Sequence, residues 1–238
     1  MSKAMIDTDA MLTEMVAAAV KQGENLRLNV RNLTLQALQA RDLSLGQIRS
    51  VLSSVTAGVN RGAADLEGDP QKMISKALAG MDEALLQAVR ASHIALTQLS
   101  EHGADFEDSR LKKSLNELER LEDEFLKVVR QAAGSATGNM KNGWAQMLQQ
   151  AKMDGTETGA EVEAMFADLS ANMQKTMRSG REASFKAAHA LTQNFATLAS
   201  GILIGLTEAY QRKPAASAAR PAESEAKPAA KASSRRSR

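Results

Sequence analysis

The chain has 238 residues, of which 43% are hydrophobic, seven are aromatic and none is cysteine. The lack of cysteine excludes disulfides, thiolate nucleophiles and cysteine-ligated zinc or iron–sulfur sites. The net charge of +2 is unevenly distributed, because residues 213–238 carry seven Lys or Arg and two Glu, a local charge of +5 that leaves −3 for residues 1–212.

The scarcity of aromatic residues bears on how the chain is stabilised. Large aromatic side chains dominate the energetics of most cores, so we expect this chain to pack helices through small residues, to form a homo-oligomer, or to adsorb to a surface. Asp7 and Asp9 lie where a signal peptide would have its apolar segment. This disfavours secretion and favours a cytoplasmic location.

Apolar residues at alternating spacings of four and three predict two helices in the first part of the chain. The first runs from about Met5 to Ala40. The second starts after Ser44, which forms an S-x-x-Q capping box with Gln47, and ends near Gly68. The two seams are Leu12, Val16, Ala19, Gly23, Leu26, Val30, Leu33 and Ala37, and then Leu45, Ile48, Leu52, Val55, Val59, Gly62 and Leu66.

A third helix is predicted to start with Asp69 as its cap and Pro70 in its first position, and to end at His102-Gly103. A fourth shows a heptad from Leu111 to Met140 in which Glu122 is the one break. Gly155-Thr156 separates a fifth, whose seam runs from Phe166 to Leu206. Trp144 lies among glycines and methionines and is interpreted as a packing residue, with an interface anchor as the alternative.

The predicted fold is therefore all-α: an elongated bundle of about five long, amphipathic, coiled-coil-like helices over residues 1–212. Residues 213–238 are predicted to be a disordered tail, because they consist mainly of Ala, Ser, Pro and basic residues. Basic-Pro-Ala units begin at Lys213, Arg220 and Lys227, seven residues apart. The candidate nucleic-acid-binding residues are Lys213, Arg220, Lys227, Lys231, Arg235, Arg236 and Arg238, and the alternative role of the tail is solubilisation.

Candidate catalytic and metal-binding groups are few. None of His93, His102 and His189 has a Glu three residues before it, as the E-x-x-H pattern of di-iron bundles requires. The H-E-x-x-H, G-x-x-x-x-G-K-[ST] and G-x-S-x-G motifs do not occur. We therefore predict neither an enzyme nor a cofactor or metal site.

An acidic run at residues 117–124 is interpreted as a solvent-exposed helix face. Basic residues four positions away from several of its members indicate surface ion pairs. The predicted pairs are Lys113–Glu117, Arg120–Glu124 and Asp123–Lys127.

The stretch Ala187–Thr207 contains no Asp, Glu, Lys or Arg and includes a GxxxG spacing at Gly201 and Gly205. Its first two-thirds are too polar for a membrane span, so a buried bundle helix is favoured. The functional alternative is a helix that adsorbs to lipid or a hydrophobic polymer. The candidate hydrophobic-surface-binding residues are Phe195, Leu198, Ile202, Leu203 and Leu206.

This profile resembles phasins, the coat proteins of bacterial polyhydroxyalkanoate granules, which are Ala/Met-rich, cysteine-free and long-helical. The stretch Lys227-Pro228-Ala229-Ala230-Lys231 is similar to the tails of some phasins. The resemblance implies a non-enzymatic protein that associates with hydrophobic storage granules and contacts DNA through its tail. The alternative is a soluble coiled-coil scaffold or a nucleoid-associated bridging protein, in which the helices serve self-association and the tail makes the functional contact.

Overall fold

The computed structural model describes residues 7–64, 66, 68–101, 109–179 and 195–212. All regular secondary structure in these ranges is helical, which confirms the predicted all-α class. The helices are α1 (Thr8–Gln22), α2 (Leu26–Gln39), α3 (Leu45–Ala63), α4 (Pro70–Glu101), α5 (Ser109–Glu119), α6 (Leu121–Ser135), α7 (Gly138–Asp154), α8 (Glu157–Ser179) and α9 (Phe195–Arg212).

The first predicted helix is two helices in the structure, because the chain leaves the helical conformation at Gly23. This residue has a φ of +71°, and its N–H donates to the carbonyls of Ala19 and Val20 at 3.3 and 3.1 Å. Glycine adopts this left-handed conformation without a steric penalty and ends many helices in this way. The prediction of one helix from Met5 to Ala40 is therefore wrong: Gly23 fits the heptad spacing but ends α1.

The predicted starts of the next two helices are confirmed. α3 begins directly after Ser44, although the Ser44 side chain makes no capping hydrogen bond, so the predicted capping box does not form. α4 begins at Pro70, and Oδ1 of Asp69 accepts hydrogen bonds from the N–H groups of Gln71 and Lys72 at 3.0 and 3.3 Å. Asp69 thus satisfies two donors that the first turn of a helix leaves unpaired.

The fourth predicted helix is divided into three in the structure. The helix is interrupted at Arg120, between α5 and α6, and again where Ala136 and Thr137 are extended. The heptad stripe continues across both breaks: Leu118, Phe125, Val129, Ala132, Ala136 and Met140 are all buried. The stripe therefore predicted which residues are buried but not that the helix is continuous. The predicted break at Gly155-Thr156 is confirmed, since Gly155 has a φ of +74°.

The core is centred on α4, which packs against α2, α7, α8 and α9, while α3 packs against α1 and α6. Small side chains on α4 allow these neighbouring helices to pack closely, because a larger residue at a contact position would increase the distance between the helix axes. The buried alanines of α4 are Ala77, Ala84, Ala88, Ala91 and Ala95. This arrangement matches the expectation that an aromatic-poor chain packs its helices through small residues.

Helices α1 and α3 approach each other closely at Gly58 and Gly62. A Cβ atom at Gly58 would lie 2.6 Å from the Thr13 carbonyl oxygen, and one at Gly62 would lie 2.6 Å from that of Ala17. The hydroxyl of Thr13 also donates to the Ser54 carbonyl at 3.2 Å. Only glycine permits this approach of two helix backbones, so the spacing of Gly58 and Gly62 determines how α1 docks.

Candidate functional site

The predicted nucleic-acid-binding residues, from Lys213 to Arg238, lie outside the described residues. The same holds for His102 and His189. The predicted hydrophobic-surface-binding residues all lie on α9, and the description below starts from that helix.

One side of α9 faces the bundle. Phe195, Ala199 and Leu203 are buried, and Leu198, Ile202 and Leu206 are half-buried. This inner stripe, defined by these six residues, belongs to the core, because α9 packs against α4 and α2. In this packing the five predicted surface-binding side chains therefore contact the protein's own helices, as expected for a bundle helix, and an external apolar surface reaches them only if α9 separates from the bundle.

The opposite side of α9 is exposed and carries no charge from Thr197 to Gly205. Its outer face consists of Thr197, Gly201, Ile204 and Gly205, and the Ile204 side chain is 41% exposed. Apart from the local backbone of α9, no atom of the described residues lies within 4 Å of a Cβ built at Gly201 or Gly205, so no described helix packs on this GxxxG spacing. Surface helices of globular proteins normally carry charged residues on the outer face. From Phe195 to Thr207 α9 has none.

A cavity of about 540 Å³ lies beside the outer face, between α9 and the α2–α3 connection. Thr197, Ser200, Gly201 and Ile204 line it from α9, and residues 39–42 and 47 line it from the other side. The Ser200 hydroxyl donates to the Gln39 carbonyl at 3.3 Å. This is a neutral hydrogen bond between α9 and the end of α2.

The acidic run at residues 117–124 is not simply a solvent-exposed face. The predicted pair Lys113–Glu117 is present, at 3.9 Å. Glu124 instead contacts another helix: its Oε2 accepts a hydrogen bond from Arg49 Nε at 2.6 Å, and its Oε1 lies 3.5 Å from Lys127 Nζ. The Glu124 side chain is only 14% exposed. This carboxylate therefore connects α6 to α3.

Two further carboxylates hold the turn between α7 and α8. Glu122 Oε1 accepts hydrogen bonds from the backbone N–H and the hydroxyl of Thr156, at 3.0 and 2.8 Å. Asp82 on α4 accepts from the N–H groups of Glu157 and Thr158, at 3.0 and 3.3 Å, and from the Thr158 hydroxyl at 2.6 Å. A carboxylate at a helix N-terminus is favoured by the helix dipole. Glu122, the break in the heptad, is thus an inter-helix cap.

The sequence analysis did not predict the contact of Asp82, because the residue lies on the same helix as many apolar residues and its partner is 75 positions away in the chain. A signal was nevertheless present. Asp82 lies directly beside the buried seam residue Met81, where a carboxylate favours a hydrogen-bond partner, and the Thr-Glu-Thr start of a helix provides several donors. Sequence alone does not identify which start is the partner.

The single tryptophan is a packing residue in the structure. Trp144 is fully buried, and its Nε1–H donates to Asn60 Oδ1 at 2.6 Å. Asn60 Nδ2 in turn donates to the Ala132 carbonyl at 3.3 Å. These bonds connect α7, α3 and α6, and they satisfy the polar end of the one large indole in the core.

The described residues form no group of side chains that could hold a metal ion. Within ranges 7–101 and 109–212, as far as they are described, no three His, Cys, Asp or Glu side chains are placed to hold a metal ion. His93 Nε2 lies 3.8 Å from Asp168 Oδ2, an exposed carboxylate. A second cavity, of about 700 Å³, is lined by Arg61 as the one charged residue among the described lining residues, and Arg61 pairs with Glu14.

The fold and these surfaces define a class: an all-α bundle whose polar clusters join helices, and whose surface helix α9 is uncharged over residues 195–207. The chain belongs to a family of unknown function, DUF6781, which matches residues 1–212. The match ends at the last residue of α9. Searches of curated proteins and of solved structures give no match to the chain. Among the described residues, no helix is both long and apolar enough to cross a membrane.

Proposed function

We propose that this protein is a non-enzymatic, phasin-like structural protein that associates with the surface of hydrophobic storage granules through α9. The observation that carries the proposal is the outer face of α9. Surface helices normally carry charged residues on the side that faces solvent, yet residues 195–207 carry none, and Gly201, Ile204 and Gly205 of this segment are exposed. A hydrophobic granule surface would cover this face.

The proposal includes self-association and the basic tail. Met11 and Met15 are 48% and 41% exposed and lie one turn apart on α1, where a second copy can cover them and extend the heptad packing into a coiled coil. The tail, with its charge of +5, contacts DNA or another polyanion. The alternative function, a soluble coiled-coil scaffold or a nucleoid-associated bridging protein, keeps these two properties without the granule.

Binding of the purified protein to polyhydroxybutyrate particles, measured by co-sedimentation, tests the proposal. We expect the wild type to bind. Ile204→Glu places a charge on the outer face of α9, and burying it against an apolar surface costs about 2–3 kcal/mol, so we expect an affinity lower by roughly tenfold or more. Because Ile204 is exposed, the fold should tolerate the substitution.

Ile94→Glu is the matched control. Ile94 lies on α4 and is 39% exposed, against 41% for Ile204, so both variants add the same charge at equally exposed isoleucines. The control should bind particles as the wild type does. A wild type that stays in the supernatant, or an Ile204→Glu variant that binds as well as Ile94→Glu, would contradict the proposal.

A further inference from the structure

We propose that α9 is a displaceable cover, which leaves α4 and α2 on contact with an apolar surface and lays its inner stripe on that surface. This inference rests on the proposed function and adds a conformational step to it. The outer face makes the first contact and keeps it, and the inner stripe adds a larger apolar area when residues 195–207, which carry no charge, become embedded in that surface.

The first argument comes from how the apolar side chains are distributed around α9. The outer face has one large apolar residue, Ile204, besides two glycines and Thr197. The inner stripe has a Phe, an Ala and four Leu or Ile residues. Adsorption of a helix strengthens with the apolar area that it buries. The side that can attach strongly is therefore the side that now faces the bundle.

The second argument is that α9 can leave without breaking an ion pair along most of its length. Residues 195–207 contain no acidic or basic side chain, and the Ser200–Gln39 hydrogen bond joins two neutral groups that water can satisfy. Two other helix contacts of the bundle include charged side chains. α8 is tied to α4 through Arg90–Glu161 and through Asp82, and α2 is tied to α4 through Arg27–Glu83.

The third argument concerns the balance between the closed and open states. In water, separation exposes the inner stripe and also the surface of α4 and α2 that it covers, so the closed state is favoured. On an apolar surface the inner stripe stays buried, and only the parts of α4 and α2 that contacted α9 become exposed to water. A surface shifts the equilibrium towards the open state only if it binds the open state more tightly than the closed state. The inner stripe is available to the surface only in the open state, so it provides this difference in affinity.

A reversible cross-link tests whether α9 must move. Ala40 and Gly201 line the same cavity from opposite sides, Ala40 is exposed, and Gly201 has open space around its Cα. The native chain has no cysteine, so in an Ala40→Cys/Gly201→Cys variant only the two new thiols react with a short bis-maleimide that contains a reducible disulfide. The full-length chain is used, and binding to polyhydroxybutyrate particles is measured before and after reduction.

We expect the cross-linked protein to bind at least about tenfold more weakly than the same protein after reduction. A Lys72→Cys/Lys76→Cys variant, cross-linked within one exposed turn of α4, controls for the chemistry and should bind equally in both states. Equal binding of the Ala40–Gly201 protein before and after reduction would overturn the displacement of α9 and leave granule binding intact. Absence of binding by the uncross-linked wild type would instead overturn the proposed function, and the displacement with it.

Discussion

At the scale of single residues, carboxylates that join helices carry much of the specificity of this fold. The hydroxyl of Ser50, at 2.6 Å, and the Arg41 guanidinium lower the pKa of Asp9. The hydrogen bond from Arg49 lowers the pKa of Glu124 in the same way. Both acids therefore favour folding in their ionised form, and each connects helices that are distant in the chain.

Replacing Glu124 tests this linkage. Glu124→Gln should lower the free energy of unfolding by about 1 kcal/mol near neutral pH, a modest loss because the Arg49 side chain is 45% exposed. The pKa is lower in the folded than in the unfolded chain, so the stabilisation is complete above the unfolded value of about 4.3. It is lost as the pH falls from there through the folded pKa.

Urea unfolding followed by Trp144 fluorescence, at neutral pH and at pH values below about 4, measures this difference. The wild type and Glu124→Gln should converge in the acidic series. Asp123→Asn removes the same charge from the neighbouring, exposed position and should change stability little at either pH. An equal loss in both variants, or a difference that persists in acid, would contradict the assigned role of Glu124.

At the scale of the helices, the periodicity in the sequence predicted burial better than continuity. Leu26 and Val30 lie on the predicted seam of the first helix and are buried, although α1 ends before them, at Gly23. An apolar stripe in the sequence predicts which side chains are buried. Two successive helices that pack against the same core can both contribute to one such stripe. Gly23 fits the seam by spacing, and only its φ of +71° distinguishes a helix end from a close contact.

The same limit applies to the candidate site. The sequence located a charge-free stretch, Ala187–Thr207, near the end of the predicted domain, and residues 195–207 of this stretch lie on α9. It could not determine which side of that helix faces the bundle, because Leu203 and Ile204 are adjacent and both apolar, yet one is fully buried and the other 41% exposed. Similarly, of the GxxxG spacings in the sequence, the one at Gly58 and Gly62 packs against another helix, whereas the one at Gly201 and Gly205 contacts no other described helix.

The tight contact of α1 with α3 gives an element-scale prediction. Gly62→Ala should destabilise the protein by about 1–3 kcal/mol, because the new methyl group would overlap the α1 backbone at Ala17 and force the two helices apart. Gly134→Ala is the control, since that glycine lies on α6 with open space around it. There the better helix propensity of alanine should leave stability unchanged or raise it by up to about 1 kcal/mol.

Chemical denaturation followed by far-ultraviolet circular dichroism compares the two variants. A Gly62→Ala protein as stable as Gly134→Ala would mean that α1 shifts freely on α3. The docking of α1 would then not depend on glycine at this position.

At the scale of the whole molecule, the separation of charge between residues 1–212 and 213–238 predicts a salt-dependent contact with polyanions. The seven basic residues of the tail are spread along 26 positions and accompanied by only two Glu, while the remainder of the chain is acidic. Each phosphate that a basic residue neutralises releases counterions, and the logarithm of the affinity then falls with the logarithm of salt concentration by about 0.9 per contact.

A variant with Gln at Lys213, Arg220, Lys227, Lys231, Arg235, Arg236 and Arg238 should lose DNA retention in a low-salt gel shift, and the dependence of binding on salt should disappear with it. This variant keeps the length and the prolines of the tail, so it separates charge from bulk. Binding to polyhydroxybutyrate particles should not change, because α9 lies outside the altered segment. Unchanged DNA retention would assign any nucleic-acid contact to residues 1–212. A loss of particle binding would instead show that the tail, and not α9 alone, attaches the protein to the granule.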